Sequence, residues 1–153
     1  MKHHNLAALT LLCCCLLCTM AAAQQLELVA KDPGSWQATP AKGRALITFS
    51  PDSGHFELTA SHLPAEQDYV LVQHQDRGDG HGYMICTVTT TRQGTIRFNG
   101  SWSLWEGKIW LVRAEDVRGA AGDQTLDQLK GWHPRHYLFE TRLLTASHTP
   151  AVF

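Results

Sequence analysis

Beyond residue 18 the chain has one cysteine, Cys86; the other four of its five, Cys13, Cys14, Cys15 and Cys18, are crowded near the N-terminus. No disulfide within the body of the protein can therefore stand in for a core. There is no Gly-x-Ser-x-Gly elbow, no His-Glu-x-x-His pair and no phosphate-cradling glycine loop, which removes the most recognisable hydrolase, zinc-protease and nucleotide-binding signatures. Charge of one sign is also missing: 14 acids face 13 bases, with no basic run or acidic tail. The electrostatic footprint of a nucleic-acid binder is absent, so nucleic acid is not an expected partner.

What is present starts with an apolar run. Lys2 and two histidines precede Leu6–Met20, and Ala21-Ala22-Ala23 follows with the small side chains a signal peptidase accepts. The run falls short of the roughly 18–20 apolar residues that span a bilayer. It reads as a signal peptide over residues 1–23, and a lipid on Cys18 is disfavoured by the bulky Leu16-Leu17 before it. The expected mature chain, Gln24–Phe153, is secreted or periplasmic, is not stably inserted in a membrane, and has the length of one domain.

Periodicity along that chain is two. Ala45, Ile47 and Phe49 alternate with Arg44, Leu46 and Thr48, and Phe56, Leu58 and Ala60 alternate with more polar neighbours. Further strands are predicted at Tyr69–His74, Tyr83–Thr90, Thr95–Asn99, Lys108–Val112 and Tyr137–Leu144, with Leu26–Val29 as an edge strand. Pro51-Asp52-Ser53-Gly54 and Arg92-Gln93-Gly94 supply hairpin turns, and only Asp123–Lys130 looks helical. About eight short strands so separated predict an all-β fold, an antiparallel β-sandwich of Greek-key, immunoglobulin or fibronectin III-like type, with a β-barrel as the alternative. Cys86 shares an alternating face with Met84 and Val88 and reads as a buried, inert thiol.

Two resemblances bear on this. Leu63-Pro64-Ala65-Glu66-Gln67-Asp68-Tyr69 resembles the corner of fibronectin type III domains, which implies a structural Tyr69 whose hydroxyl bonds back to upstream backbone. Gly107-Lys108-Ile109-Trp110-Leu111-Val112 and Gly131-Trp132-His133-Pro134-Arg135-His136-Tyr137-Leu138-Phe139-Glu140, with Lys31-Asp32-Pro33-Gly34-Ser35-Trp36 upstream, are similar to blocks in a family of small exported β-rich proteins of unknown function, many of them archaeal. His133 stands where those proteins tend to carry asparagine. The resemblance implies export and a β-rich fold, and it transfers no catalytic residue.

Candidate chemistry is sparse. His74 ends a strand and His81 lies in the following loop with Asp76 and Asp79 between them, a set that offers Zn²⁺ or Cu²⁺ a site without matching any closed zinc spacing or the calcium-loop pattern. His133 and His136 form a second imidazole pair around Pro134 and Arg135. Five tryptophans are many for one domain. Trp102 and Trp105 fall in a connection that should be exposed, and with Trp132 they are the candidate ligand-binding residues, suited to stacking on sugar rings or on a protein. The expected function is a non-catalytic binding or structural module outside the cytoplasm, with a protein or glycan partner and no obligate cofactor. A histidine-dependent metal-binding protein is the alternative, and an extracytoplasmic hydrolase the third reading.

Overall fold

The structure is a computed structural model and describes residues 22–74, 82–118, 125–126 and 129–145. Its strands are β1 (Gln24–Val29), β2 (Arg44–Phe49), β3 (His55–Ser61), β4 (Asp68–His74), β5 (Gly82–Thr89), β6 (Ile96–Ser101), β7 (Lys108–Arg113), β8 (Thr125–Leu126) and β9 (Leu138–Glu140). All pairings are antiparallel, in one sheet of order β6-β3-β2-β1-β9-β7-β4-β5-β8.

This sheet rolls into a nearly closed barrel, so the barrel alternative is the form taken, not two facing sheets. The reason lies in β1. Leu26–Val29 is central: β1 pairs with β2 along its whole length and with β9 through Leu28↔Glu140 and Val29↔Phe139. That short junction ties together halves that a sandwich would leave separate. The Arg92-Gln93-Gly94 turn is formed, but it joins β5 to β6 across the barrel seam, since β5 pairs with β4 and β6 with β3.

Inward residues fill the barrel as the alternation predicts: Ala45, Ile47 and Phe49 on β2, Phe56, Leu58 and Ala60 on β3, Leu26 and Leu28 on β1. On β4 and β7 both faces are buried. Tyr69, Leu71, Ile109 and Leu111 point inward, while Val70, Val72, Trp110 and Val112 join Tyr137 and Phe139 in a second apolar layer outside the sheet. Ile85 bulges out of the β4–β5 ladder, with Leu71 opposite Cys86 and Val72 opposite Met84. The extra residue turns the strand over, so Cys86 and Val88 pack on the barrel interior and Met84 on the outer layer, not on one shared face. Burial pushes the Cys86 thiol up to about 12, which leaves almost no thiolate at neutral pH.

Three other expectations are corrected. Within Asp123–Lys130, Thr125–Leu126 is strand paired to β5 and Leu129 bridges to Val117, so the described part is not helical. The last strand ends at Glu140, because Thr141 turns to donate its N–H to the Glu27 carbonyl (3.0 Å). The Tyr69 hydroxyl has no hydrogen-bond partner among the described residues, so it does not bond back to their backbone. Thr90 pins the corner instead: its buried hydroxyl donates to the Pro64 carbonyl (2.7 Å) and accepts from the Gln67 N–H (2.8 Å).

Candidate functional site

The outer layer over β4, β7 and β9 is roofed on one side by the 3-10 turn Ala114–Asp116 with Val117 and Leu129. On its other side two loops each lay a tryptophan over the aromatic floor and leave it half bare: Trp36 is 45% exposed and Trp132 52%. The two indoles stack with centroids 6.3 Å apart and planes 24° apart. Beneath them Phe139 lies 4.9 Å from Trp36, and Trp110 lies 5.8 Å from Trp132 and 5.4 Å from Phe139. Each such pair adds about 0.5–1.5 kcal/mol beyond area burial, so the platform is braced from below.

Trp36 is held there at a backbone cost. Its φ of 59° is left-handed, a conformation a bulky side chain adopts only where its surroundings impose it. Asp32 imposes it. Its carboxylate accepts from the N–H groups of Gly34 (3.0 Å) and Ser35 (2.9 Å) and from the Ser35 hydroxyl (3.1 Å), and its carbonyl accepts from the Trp36 N–H (2.7 Å). The hydrogen bonds from Ser35, then that from Gly34, hold the Asp32 carboxyl below its ordinary value. A bridge between Lys31 and Ala38 closes the base of this loop.

Trp132 is positioned by its neighbours. Buried Asp116 accepts from the Tyr137 hydroxyl (2.6 Å), and its two oxygens lie 2.9 and 3.0 Å from His133 Nδ1. The His133 N–H donates to the Tyr137 oxygen (3.2 Å), which locks the turn carrying Trp132. Burial first, then the Asp116 hydrogen bond, pushes the Tyr137 phenol far up. His133 thus pairs with Asp116 and not with His136. An Asp-oriented imidazole is half of a general-base arrangement, but among the described residues no hydroxyl or thiol bonds to the His133 ring, whose hydrogen-bond partner is Asp116.

Charge surrounds the platform. Lys31 Nζ lies 5.5 Å from the Trp36 ring centroid and 5.7 Å from that of Phe139, and Lys108 Nζ lies 5.7 Å from that of Trp110. Burial raises the Glu140 carboxyl, and the two lysines oppose that shift.

Of the predicted ligand-binding tryptophans, only Trp132 stands on this platform. Trp105 is buried, stacked on Phe49 (4.5 Å, 24°) and edge-on to Phe56 (5.3 Å), so it plugs the barrel end. Trp102 is half buried beside it. Its Nε1–H is shared between Gln73 Oε1 (3.0 Å) and the Leu104 carbonyl (2.7 Å), and its ring meets Tyr83 across the seam. The connection expected to be exposed is folded back because two large rings gain more from the barrel interior than from water. His74 ends β4 with its ring edge-on to Trp110 (5.1 Å), while Asp76, Asp79 and His81 lie outside the described residues. Among the described residues no three metal-ligating side chains cluster. Trp36 was missed as a site residue, although the Asp-Pro-Gly-Ser turn before it is a local signal for a presented side chain.

No family model matches the chain, and neither the curated proteins nor the solved structures contain a match to it.

Proposed function

We propose that this protein is an exported, non-catalytic binding module whose Trp36–Trp132 platform stacks on the rings of a glycan. The observation carrying the reading is the strained Trp36. A left-handed backbone and an Asp32 turn are maintained to keep an indole half exposed beside a second one. Flat, rigid aromatic faces with polar groups at the rim suit pyranose rings, whose C–H faces pack on indole while hydroxyls reach Lys31 and its neighbours. Intrinsic fluorescence during titration with cellohexaose, chitohexaose and maltohexaose tests this. Saturable quenching by at least one is expected, weakened roughly tenfold or more by Trp36→Ala and by Trp132→Ala, in line with a stacking contact of about 1–3 kcal/mol per ring. Quenching that both variants retain would place the ligand elsewhere.

Export rests on Leu6–Met20 and the alanines that follow, and the fold is compatible with it: β1 opens at Gln24, so cleavage after Ala23 removes no residue of the sheet. The intact mass of the secreted protein is expected to correspond to Gln24–Phe153. A mass that retains Met1–Ala23 or includes acyl chains would contradict this.

A further inference from the structure

Asn99 and Asn5 are the chain's two asparagines, and Asn5 falls in the apolar leader region. Asn99-Gly100-Ser101 has the Asn-x-Ser order, without proline in the middle, of an N-glycosylation acceptor. It lies on β6, which ends the sheet and among the described strands pairs with β3 alone. Ile96 and Phe98 pack on the barrel interior, whereas Arg97, Asn99 and Ser101 alternate with them and are exposed. The acceptor amide and the hydroxyl two residues on therefore share the solvent face of an extended segment.

The fold does not account for an asparagine there. Strands disfavour asparagine, and both outward neighbours on β6 are engaged: Arg97 with Glu57 (3.0 Å), and Ser101, whose Oγ lies 3.4 Å from His55 Nδ1. The Asn99 amide has no hydrogen-bond partner among the described residues. Gly100, by contrast, is set by packing, since a Cβ there would sit 2.7 Å from the rings of Phe56 and Phe98. A residue that breaks the local preference with no structural return points to function.

We propose that Asn99 is an N-glycosylation site of the exported protein. Asn99 Nδ2 forms a bond to C1 of the first sugar and gives up one proton. The bond from C1 to the phosphate of a lipid-linked oligosaccharide donor breaks, and the lipid phosphate or pyrophosphate leaves. A groove of about 340 Å³ lined by Thr48, His55, Glu57 and Asn99 gives that sugar room against the sheet. The site rests on the export reading, because such transfer acts on translocated chains, and it shares no residue with the tryptophan platform.

Peptide mapping by tandem mass spectrometry of the protein recovered outside its native cell tests the site, and reads the N-terminus at Gln24 independently of any attached sugar. A second arm replaces residues 1–23 with a leader that the same cell is known to export, so a failure of the native leader is separated from a failure of the acceptor. Sugar residues on the peptide that contains Asn99 are expected in the exported chain. Asn99→Gln and Ser101→Ala should each abolish them, and Ser101→Thr should keep them. Both positions are exposed, and Ser101→Ala leaves the asparagine in place, so loss of the sugar there reports recognition of the motif and not a change of fold. An exported chain whose Asn99 is bare in both arms, or sugar that persists in Ser101→Ala, overturns the proposal.

Discussion

Replacing Phe56 with alanine is expected to destabilise the protein by about 3–5 kcal/mol, and replacing the adjacent Glu57 by less than ~0.5 kcal/mol. The contrast follows from the alternation along β3. Phe56 is buried in the barrel between Trp105, edge-on at 5.3 Å, and Phe98 at 5.9 Å. Its removal leaves a cavity that neither ring can fill, since Trp105 is already stacked on Phe49 and Phe98 is fixed on β6. Glu57 points the other way and pairs with Arg97 (3.0 Å) at the surface, where Arg97 is well exposed and Glu57 partly so, and such a pair contributes little. Urea denaturation of the two variants measures the difference. Similar losses for both would mean that β3 runs in another register.

The second large effect belongs to Gly94. Its φ of +68° is left-handed, and an added Cβ would sit 2.0 Å from the Leu63 carbonyl oxygen, a backbone atom that cannot swing aside. The same residue accepts the Leu63 N–H (3.1 Å), so the turn across the seam and the corner before β4 are joined at this point. Gly94→Ala is expected to cost roughly 2–3 kcal/mol, about 1–2 from the left-handed backbone and the remainder from the displaced hydrogen bond. Gly34→Ala is the control. A Cβ there meets only the Asp32 side chain at 3.4 Å, and the change should stay within ~0.5 kcal/mol. Thermal melts of the two variants read this directly, and equal midpoints would show that the seam tolerates opening.

Strand faces were legible because a side chain's direction alternates with its number. That argument predicts Ala45, Ile47, Phe49, Phe56, Leu58 and Ala60 in the core, where they are. Strand partners were not legible, because nothing in the Leu26–Val29 pattern says that β9 will lie beside it and close the sheet. The Ile85 bulge was hidden for a related reason: one extra residue reverses the faces of Met84 and Cys86 without marking the sequence. At the candidate site, Trp132 was legible as an aromatic on a proline-braced loop. The Trp36 that stacks on it comes from the other end of the chain, and the β1–β9 junction brings the two loops together. The Asp116 clasp was invisible for the same reason, since a buried carboxylate is recognised by its partners and not by its neighbours in sequence.

The indole Nε1–H resonances of the five tryptophans, followed by ¹⁵N NMR during titration with whichever hexasaccharide quenches fluorescence, test the platform most directly. Saturable shifts are expected at Trp36 and Trp132, with a smaller response at Trp110 beneath them and none at buried Trp105. Shifts centred on Trp102, or none at Trp36 and Trp132 at saturating sugar, would contradict the platform as the binding site.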